Sequence, residues 1–213
     1  MTLNGLYQNY VSYCSFTKQL INHHIIYFFK AAFPMQPFLF IKTVVNMEEL
    51  NFSHAVIEDL VEITNIYNST ISSRLVTADT EEVTVASRLN WFYEHNQEKR
   101  PLWMVHNKNN ELIGWVSFSS FYGRPAYSGT AEISIYLHED HRNMGYGKAI
   151  LEYCILEAKN FEIKTLLAFI FKHNTPSISL FKKLNFEEWG VLPNVAVMDN
   201  NEYSLCILGK RIY

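Results

Sequence analysis

An alternating apolar segment that runs into a glycine turn and then into an amphipathic helix constrains this chain more than any other feature. Ala131–Leu137 puts Ile133, Ile135 and Leu137 on one face of a strand and Glu132, Ser134 and Tyr136 on the other. Arg142-Asn143-Met144-Gly145-Tyr146-Gly147 comes next, and Gly147, Ile150, Leu151, Cys154, Ile155 and Ala158 then recur at helical spacing. A turn that opens directly into a helix exposes backbone N–H groups, and the helix dipole favours negative charge there. Glycine lets the backbone approach a ligand closely. Arg142 and Lys148 add side-chain charge to the same loop, so the segment reads as a cradle for a pyrophosphate. The spacing matches neither the nucleotide-binding G-x-x-x-x-G-K-[ST] loop nor the dinucleotide G-x-G-x-x-G turn.

The bulk properties narrow the possible partners. Hydrophobic residues make up 48% of the 213 and charged residues 18%, as expected for a globular chain with a real core. The net charge is −3 and no run of Lys or Arg occurs, which argues against a nucleic-acid backbone as partner. Three scattered cysteines, Cys14, Cys154 and Cys206, suggest a reducing, cytoplasmic compartment and no disulfide framework. His138 and His141 lie at i,i+3 and His23 and His24 form a pair, but neither set has a third ligand at zinc spacing, so no metal is expected. The G-x-S-x-G nucleophile elbow is absent.

Residues 1–46 differ from the rest. They are rich in aromatics and poor in charge, and Pro34 and Pro37 interrupt their apolar runs. Those runs are too short to span a membrane and lack the basic face of an interfacial helix. Composition therefore sets 1–46 apart as an extension that is not expected to belong to the native domain, with the domain proper covering 47–213. From Leu50 the pattern becomes regular. Strands are expected over 50–55, 102–106, 112–119, 131–137, 165–171, 187–192 and 203–208, and helices over 58–67, 84–94, the segment after Gly147, and 177–184. The order β-α-α-β-β-β-α-β-α-β-β predicts an α/β (α+β) fold: a mixed, mostly antiparallel sheet of about seven strands with helices on both faces.

That order, with R-x-x-G-x-G after the fourth strand, resembles the GNAT superfamily of acyl-CoA N-acyltransferases over nearly all of 48–210. The segments IYNSTI, TADTEEVTVASRLNWF, GWVSFSSFYGRPAYSGTAEISIYLHEDHRNMGYG and WGVLPNVAVMD are similar to those of phosphinothricin and methionine-sulfoximine N-acetyltransferases. The resemblance implies acetyl-CoA as co-substrate. Its pantetheine arm would lie along Ile135, Tyr136 and Leu137, and its pyrophosphate on Arg142, Asn143, Met144, Gly145, Tyr146, Gly147 and Lys148. Asn174 would bond the pantetheine arm and Lys183 would stand near the phosphate end. One N–H group of the 135–137 strand would stabilise charge developing on the thioester oxygen.

The attacking amine must be uncharged, so a group must take its proton. In T-A-E-I-S, Glu132 matches a glutamate that similar enzymes carry near the acceptor, and it is the expected base. Arg124, Pro125, Ala126 and Tyr127 match a loop that touches the amino-acid substrate, with Arg124 supplying a planar fork for a carboxylate or phosphinate. Arg74, Thr77 and Asp79 lie on the helix–helix loop that borders the acceptor site in this fold. Where many relatives carry a tyrosine that protonates the departing thiolate, this chain has Phe181, which cannot donate. Asn185 stands where a glycine is usual, in Leu-Asn-Phe rather than Leu-Gly-Phe. The resemblance also implies a homodimer acting on a small amino acid, with no membrane partner. Acetylation of a peptide N-terminus or a polyamine, or non-catalytic acyl-CoA sensing, remains open at this point.

Overall fold

The alternation that begins at Leu50 builds a sheet, and the helices that cover it come from the stretches of 3.6-residue periodicity between its strands. The structure, a computed structural model, describes residues 15–21, 24–30, 40–43, 45 and 47–213. It divides into two units, Met1–Val45 and Asn46–Tyr213.

In the first unit three strands pair antiparallel in the order β1-β2-β3: β1 (Ser15–Ile21), β2 (His24–Lys30) and β3 (Phe40–Thr43). The register runs from Ser15↔Lys30 to Ile21↔His24, and from His24↔Thr43 to Tyr27↔Phe40. Sequence reading assigned no element here, although Ile, Phe and Tyr in β2 are residues that favour strands. Cys14 and His23, named in the sequence analysis, lie outside the described residues.

The second unit holds a mixed seven-stranded sheet, as the element order predicts. Its strands are β4 (Leu50–His54), β5 (Leu102–Asn107), β6 (Leu112–Ser120), β7 (Thr130–Leu137), β8 (Thr165–Phe171), β9 (Glu187–Met198) and β10 (Asn201–Arg211), in the order β4-β5-β6-β7-β8-β10-β9. Every neighbouring pair is antiparallel except β7 and β8. Four α-helices accompany it: α1 (Leu60–Ile71), α2 (Val85–Tyr93), α3 (Tyr146–Glu157) and α4 (Thr175–Lys183).

The two faces of the sheet are covered by different helices. On one, Trp115 of β6 is buried under α1 and its indole N–H donates to the Ile63 carbonyl at 3.1 Å. Leu60, Ile63, Ile66 and Tyr67 of α1 join Leu102 and Met104 there, with Leu89, Trp91 and Phe92 of α2 packed against them. Each fully buried Leu or Ile of this kind contributes about 1.5–3 kcal/mol. On the other face α3 buries Ala149, Ile150, Leu151 and Cys154, and Tyr153 stacks on Phe52 of β4 at 3.6 Å.

Element ends follow local chemistry. The β5–β6 turn is tied by Asn107, whose side-chain oxygen accepts from the N–H groups of Asn109 and Glu111. Asn185 takes the left-handed conformation (φ 62°) that ends α4. The Phe186 N–H returns to Phe181, the Asn185 N–H to Lys182, and the two phenylalanine rings meet at 4.9 Å. This is the Schellman arrangement, with asparagine in the glycine's place. The last hairpin is longer than the sequence reading of 187–192 and 203–208. Asp199 and Asn200, at φ 51° and 62°, form the tight two-residue turn that joins β9 to β10.

Candidate active site

β7 and β8 part company almost as soon as they meet. Their parallel pairing spans only Thr130↔Thr165 to Glu132↔Leu167, and beyond it a cleft opens between them. Ile133, Ile135 and Leu137 line one wall, Ala168, Phe169 and Ile170 the other, and Asn174, Leu180 and Phe181 close the floor.

Backbone polarity along β7 can be read from its other neighbour. The His138 N–H donates to Ile113 at 2.9 Å, and the register Gly114↔Leu137, Trp115↔Tyr136, Ser117↔Ser134, Ser119↔Glu132 continues from there. Hydrogen-bonded and non-bonded pairs alternate in an antiparallel ladder. Glu132, Ser134 and Tyr136 therefore bond to β6, and Ile135 and Leu137 turn their N–H and C=O groups towards the cleft. This refines the expectation for the 135–137 segment. Tyr136 is committed to β6 through its backbone, and it is its side chain that is available, on the opposite face of the strand. Ile135 and the Leu137 N–H supply the edge on which an extended amide-containing arm can pair as a further strand, the Leu137 carbonyl being taken by Arg142.

At the end of the cleft stands the glycine loop. Gly145 caps α3 with φ 98°, a conformation open to glycine and costly for most other residues, and Asn143 is also left-handed at φ 63°. The N–H groups of Asn143, Met144 and Gly145 meet no acceptor among the described residues, and the first-turn N–H groups of Tyr146 and Gly147 point the same way as the helix dipole. Gly147 is also where α3 touches α4: a Cβ there would lie 3.2 Å from Leu180. These donors and the paired glycines fit a pyrophosphate.

Several side chains sit differently from the sequence expectation. The Arg142 guanidinium turns inward, donating to the Leu137 carbonyl at 3.1 Å and to the Ser69 hydroxyl at 2.6 Å, so it ties the loop to β7 and α1. Lys148 pairs with Glu152 one turn along the helix at 2.9 Å. Met144 is exposed. Lys183 is exposed in the last turn of α4, at the opposite end of that helix from Asn174. Asn174 is buried with both side-chain atoms engaged. Its oxygen caps α4 through the Ser177 N–H (3.2 Å), and its amide donates to the Leu75 carbonyl (3.0 Å). It thus fixes the 72–80 loop against α4 beside the cleft. The backbone cradle, rather than the basic side chains, is what the loop presents.

The face of β7 opposite the cleft wall carries Glu132, Ser134 and Tyr136. Burial pushes the Glu132 carboxyl above its ordinary range, and a hydrogen bond to Ser134 opposes that only in part. A carboxyl tuned in this direction suits a general base. Tyr136 stacks on Trp115 at 4.3 Å and meets Tyr67 at 5.2 Å; burial raises its hydroxyl pKa strongly. The Tyr67 hydroxyl bonds Thr77 and Asp79, and burial together with Asp79 pushes it up to about 12. His95 packs beside Ser119 of β6. Its Nδ1 lies 2.8 Å from the Trp91 carbonyl and its Nε2 3.2 Å from the hydroxyl of Ser119, the residue opposite Glu132, and burial keeps its imidazole pKa low.

Sequence reading missed Ser69, Arg88, Trp91 and His95 as parts of this region. Arg88 and Trp91, at i,i+3 on α2, were the legible hint, since they share a helix face. Arg124 lies on the 121–129 loop, exposed and without an ionic partner among the described residues. Tyr122 and Gly123 are left-handed there, Pro125–Tyr127 makes a single 3-10 turn, and Phe121 reaches back to stack on Phe169 at the cleft, 6.3 Å away. Ala126 faces a separate, larger concavity with Lys99, Arg100, Lys164 and Arg211. Its arginines are already engaged: Arg100 donates to Ser120 and to the carbonyls of Lys99 and Ser128, and Arg211 to Thr165. Phe181, buried in the cleft floor, brings no proton donor. Among the described residues no group of three or more His, Cys, Asp or Glu side chains comes together, and no helix is long and apolar enough to cross a membrane.

Comparison with known proteins agrees with this geometry. The chain is 49% identical over 154 residues to "Putative phosphinothricin acetyltransferase YwnH" of Bacillus subtilis (strain 168), covering 72% of this chain and 94% of that protein. It is 28% identical over 141 residues to the L-methionine sulfoximine/L-methionine sulfone acetyltransferase of Pseudomonas paraeruginosa, covering 66% and 82%. A crystal structure of "a putative phosphinothricin N-acetyltransferase" superposes with a TM-score of 0.74 at 47% identity, over 77% of this chain and 99% of that one. The model of the Acetyltransferase (GNAT) family matches residues 60–186, from the first turn of α1 through the splayed strands and glycine loop to the end of α4, and the chain belongs to that family of acetyl-CoA-dependent N-acetyltransferases.

Proposed function

We propose that this acetyltransferase acetylates the α-amine of a small amino acid or analogue, of the phosphinothricin, methionine sulfoximine or methionine sulfone class. The observation that carries the reading is the position of Glu132. It is a partly buried carboxyl of raised pKa, on the strand whose neighbouring residues expose backbone groups to the cleft. The names borne by the relatives support the substrate class.

Acetyl-CoA supplies an acetyl group activated as a thioester. The backbone groups of Ile135 and the N–H of Leu137 hold the extended arm, and the N–H groups of residues 143–147 hold the pyrophosphate. Glu132 accepts a proton from the acceptor ammonium, directly or through one water, which frees the nitrogen lone pair. A β7 N–H facing the cleft stabilises negative charge as it develops on the thioester oxygen. The leaving thiolate is stable enough at neutral pH to depart without a dedicated acid, which is consistent with phenylalanine at 181.

Tyr136 and Trp91 are held against the buried rings of Tyr67 and Trp115, and this packed aromatic face favours a compact acceptor over a peptide chain. Arg88 places a positive charge on the same face, which disfavours a polyamine. The same reading assigns the protein to the cytoplasm, as a homodimer without nucleic-acid or membrane partners, and places the activity in residues 47–213. The test is release of free thiol from acetyl-CoA with methionine sulfone, methionine sulfoximine, phosphinothricin, ordinary amino acids and spermidine, using the full chain and the chain lacking residues 1–46. Turnover confined to the sulfone-like acceptors and equal in both chains is expected. Preference for spermidine would overturn the substrate class.

A further inference from the structure

Arg88 has no part in the steps above, and its surroundings are unlike those of the other arginines in the acetyltransferase unit. Its guanidinium carbon lies 3.8 Å from the centre of the Trp91 ring and 4.6 Å from that of Tyr67, so the cation packs over two aromatic rings. Only the edge of the fork remains for hydrogen bonding. Its Nε–H is buried with no partner, and among the described residues no carboxylate lies within ion-pair distance. The nearby Asp79 carboxylate is engaged by the Tyr67 hydroxyl.

The remaining arginines differ in one respect or another. Arg74 is paired with Asp199 at 2.7 Å, and Arg100, Arg142 and Arg211 donate to protein oxygens. Arg124 is without a partner but is exposed and unstacked, so solvent satisfies and screens it. A half-buried guanidinium with a buried, unmet Nε–H is costly, and such a cost is retained where the missing partner is a ligand. A planar fork held edge-on matches the two oxygens of a carboxylate or phosphinate. The ring of Tyr67 connects this edge to Tyr136, and so to the strand that carries Glu132.

We propose that Arg88 is the residue that binds the anionic group of the acceptor and so sets specificity for an amino acid over a plain amine, an inference that rests on the acceptor reading above. Arg88 lies on a helix and packs over two rings, and this preorganises it in a way that the exposed 121–129 loop does not provide for Arg124.

The test compares methionine sulfone with its carboxamide, which keeps the amine and side chain but removes the carboxylate charge. Phosphinothricin reports on a side-chain anion. Wild type should favour the acid over the amide in kcat/KM by roughly 10–100-fold, the range of a charge-assisted hydrogen-bonded pair. In Arg88→Met the ratio should collapse to within about threefold, chiefly through a higher KM for the acid. Arg88→Lys, which keeps the charge and loses the fork, should fall between. Arg124→Ala should keep most of the ratio. A loss seen only with phosphinothricin would assign Arg88 to the phosphinate rather than the carboxylate, still as the anion anchor. If Arg88→Met lowers both substrates equally, Arg88 is a packing element and the proposal is wrong. The same holds if Arg124→Ala, and not Arg88→Met, abolishes the ratio. Failure of the acceptor reading looks different, because wild type would then turn over neither compound. Isothermal titration calorimetry would still compare their binding, and equal or absent binding would overturn the role of Arg88 as well.

Discussion

Gly114→Ala is the sharpest test of how β6 and β7 are joined. Gly114 stands opposite Leu137 in a non-hydrogen-bonded pair, where the strands approach most closely. A Cβ on residue 114 would lie 2.1 Å from the Tyr136 carbonyl oxygen and 3.0 Å from the Leu137 Cα. Both are backbone atoms and cannot rotate away, so the strands must separate locally by about 1 Å to restore an ordinary contact. The adjoining bond from the His138 N–H to Ile113, now 2.9 Å, would be stretched beyond hydrogen-bonding range. Overpacking of this kind costs about 1–3 kcal/mol, and one or two weakened ladder bonds add about 1 kcal/mol each. The total, about 2–5 kcal/mol, corresponds to a fall in Tm of roughly 5–15 °C for a domain of this size. Urea denaturation read by tryptophan fluorescence gives the change in midpoint, with Gly209→Ala as the contrast. There the added Cβ meets the ring of Trp189, which is 47% exposed and free to swing outward, so a smaller loss is expected. Because the displaced residues are Tyr136 and Leu137, KM for acetyl-CoA should rise in whatever Gly114→Ala protein remains folded. A Gly114→Ala midpoint within about 0.5 kcal/mol of wild type would refute the register and, with it, the assignment of Ile135 and Leu137 to the cleft.

Three further changes probe the site. Glu132→Gln should lower kcat by about 10²–10⁴ with little change in KM for acetyl-CoA, and the wild-type rate should rise with pH as the raised Glu132 pKa is passed. The same raised pKa has a stability consequence: the folded state holds this proton more tightly than the unfolded chain, so Glu132 favours folding in acid and that contribution is lost as pH rises through the folded pKa. Glu132→Gln should therefore gain stability relative to wild type at neutral pH and not at pH 4, as read by denaturant midpoints. Ser69→Ala removes the acceptor for Arg142 and should raise KM for acetyl-CoA several-fold at nearly constant kcat, since it loosens the loop and leaves the cradle N–H groups in place. Asn174→Ala should cost about 1–2 kcal/mol through the lost cap, and Asn174→Asp, which keeps the cap and loses the bond to Leu75, should cost less in stability while still loosening the 72–80 loop.

What the sequence revealed and what it hid follow from the range of the interactions involved. The β7–loop–α3 unit is local: alternation, paired glycines and helical periodicity lie within thirty residues, and all of it was legible. The Leu-Asn-Phe exit from α4 was legible for the same reason, because its bonds run between residues five or fewer apart. Arg142 was legible as a residue but not in its role, since its partner Ser69 is 73 positions away. Asn174 likewise holds Leu75, 99 positions away. The acceptor face was the least legible part. It is assembled from α1, α2, β6 and β7, and no short spacing announces that Tyr67, Arg88, Trp91 and Tyr136 share one surface. The final hairpin extends beyond the expected 187–192 and 203–208: Pro193 and Asn194 lie within β9, at the edge of the sheet where a missing N–H does no harm.

In the proposed reaction a single strand serves both substrates, because its backbone and its side chains have different geometries. Along β7 the side chains alternate between the two faces of the sheet, while the hydrogen-bonding groups alternate within its plane. Ile133, Ile135 and Leu137 give their side chains to the α3–α4 face, and Ile135 and Leu137 turn their backbone groups to the open edge. Glu132, Ser134 and Tyr136 give their backbones to β6 and their side chains to the α1–α2 face. The cofactor arm can then be held by main-chain groups that only proline removes, while the acceptor is read by side chains that change freely. Insertion or deletion of one residue in 131–136 would exchange these roles, turning Glu132 away from the acceptor face, and should abolish turnover. Substitutions at Ser134 or in α2 should alter which amine is accepted while leaving acetyl-CoA binding intact, as equilibrium binding measured beside turnover would show. If acetyl-CoA affinity instead tracked the α2 substitutions, the two functions would not be separated along this strand.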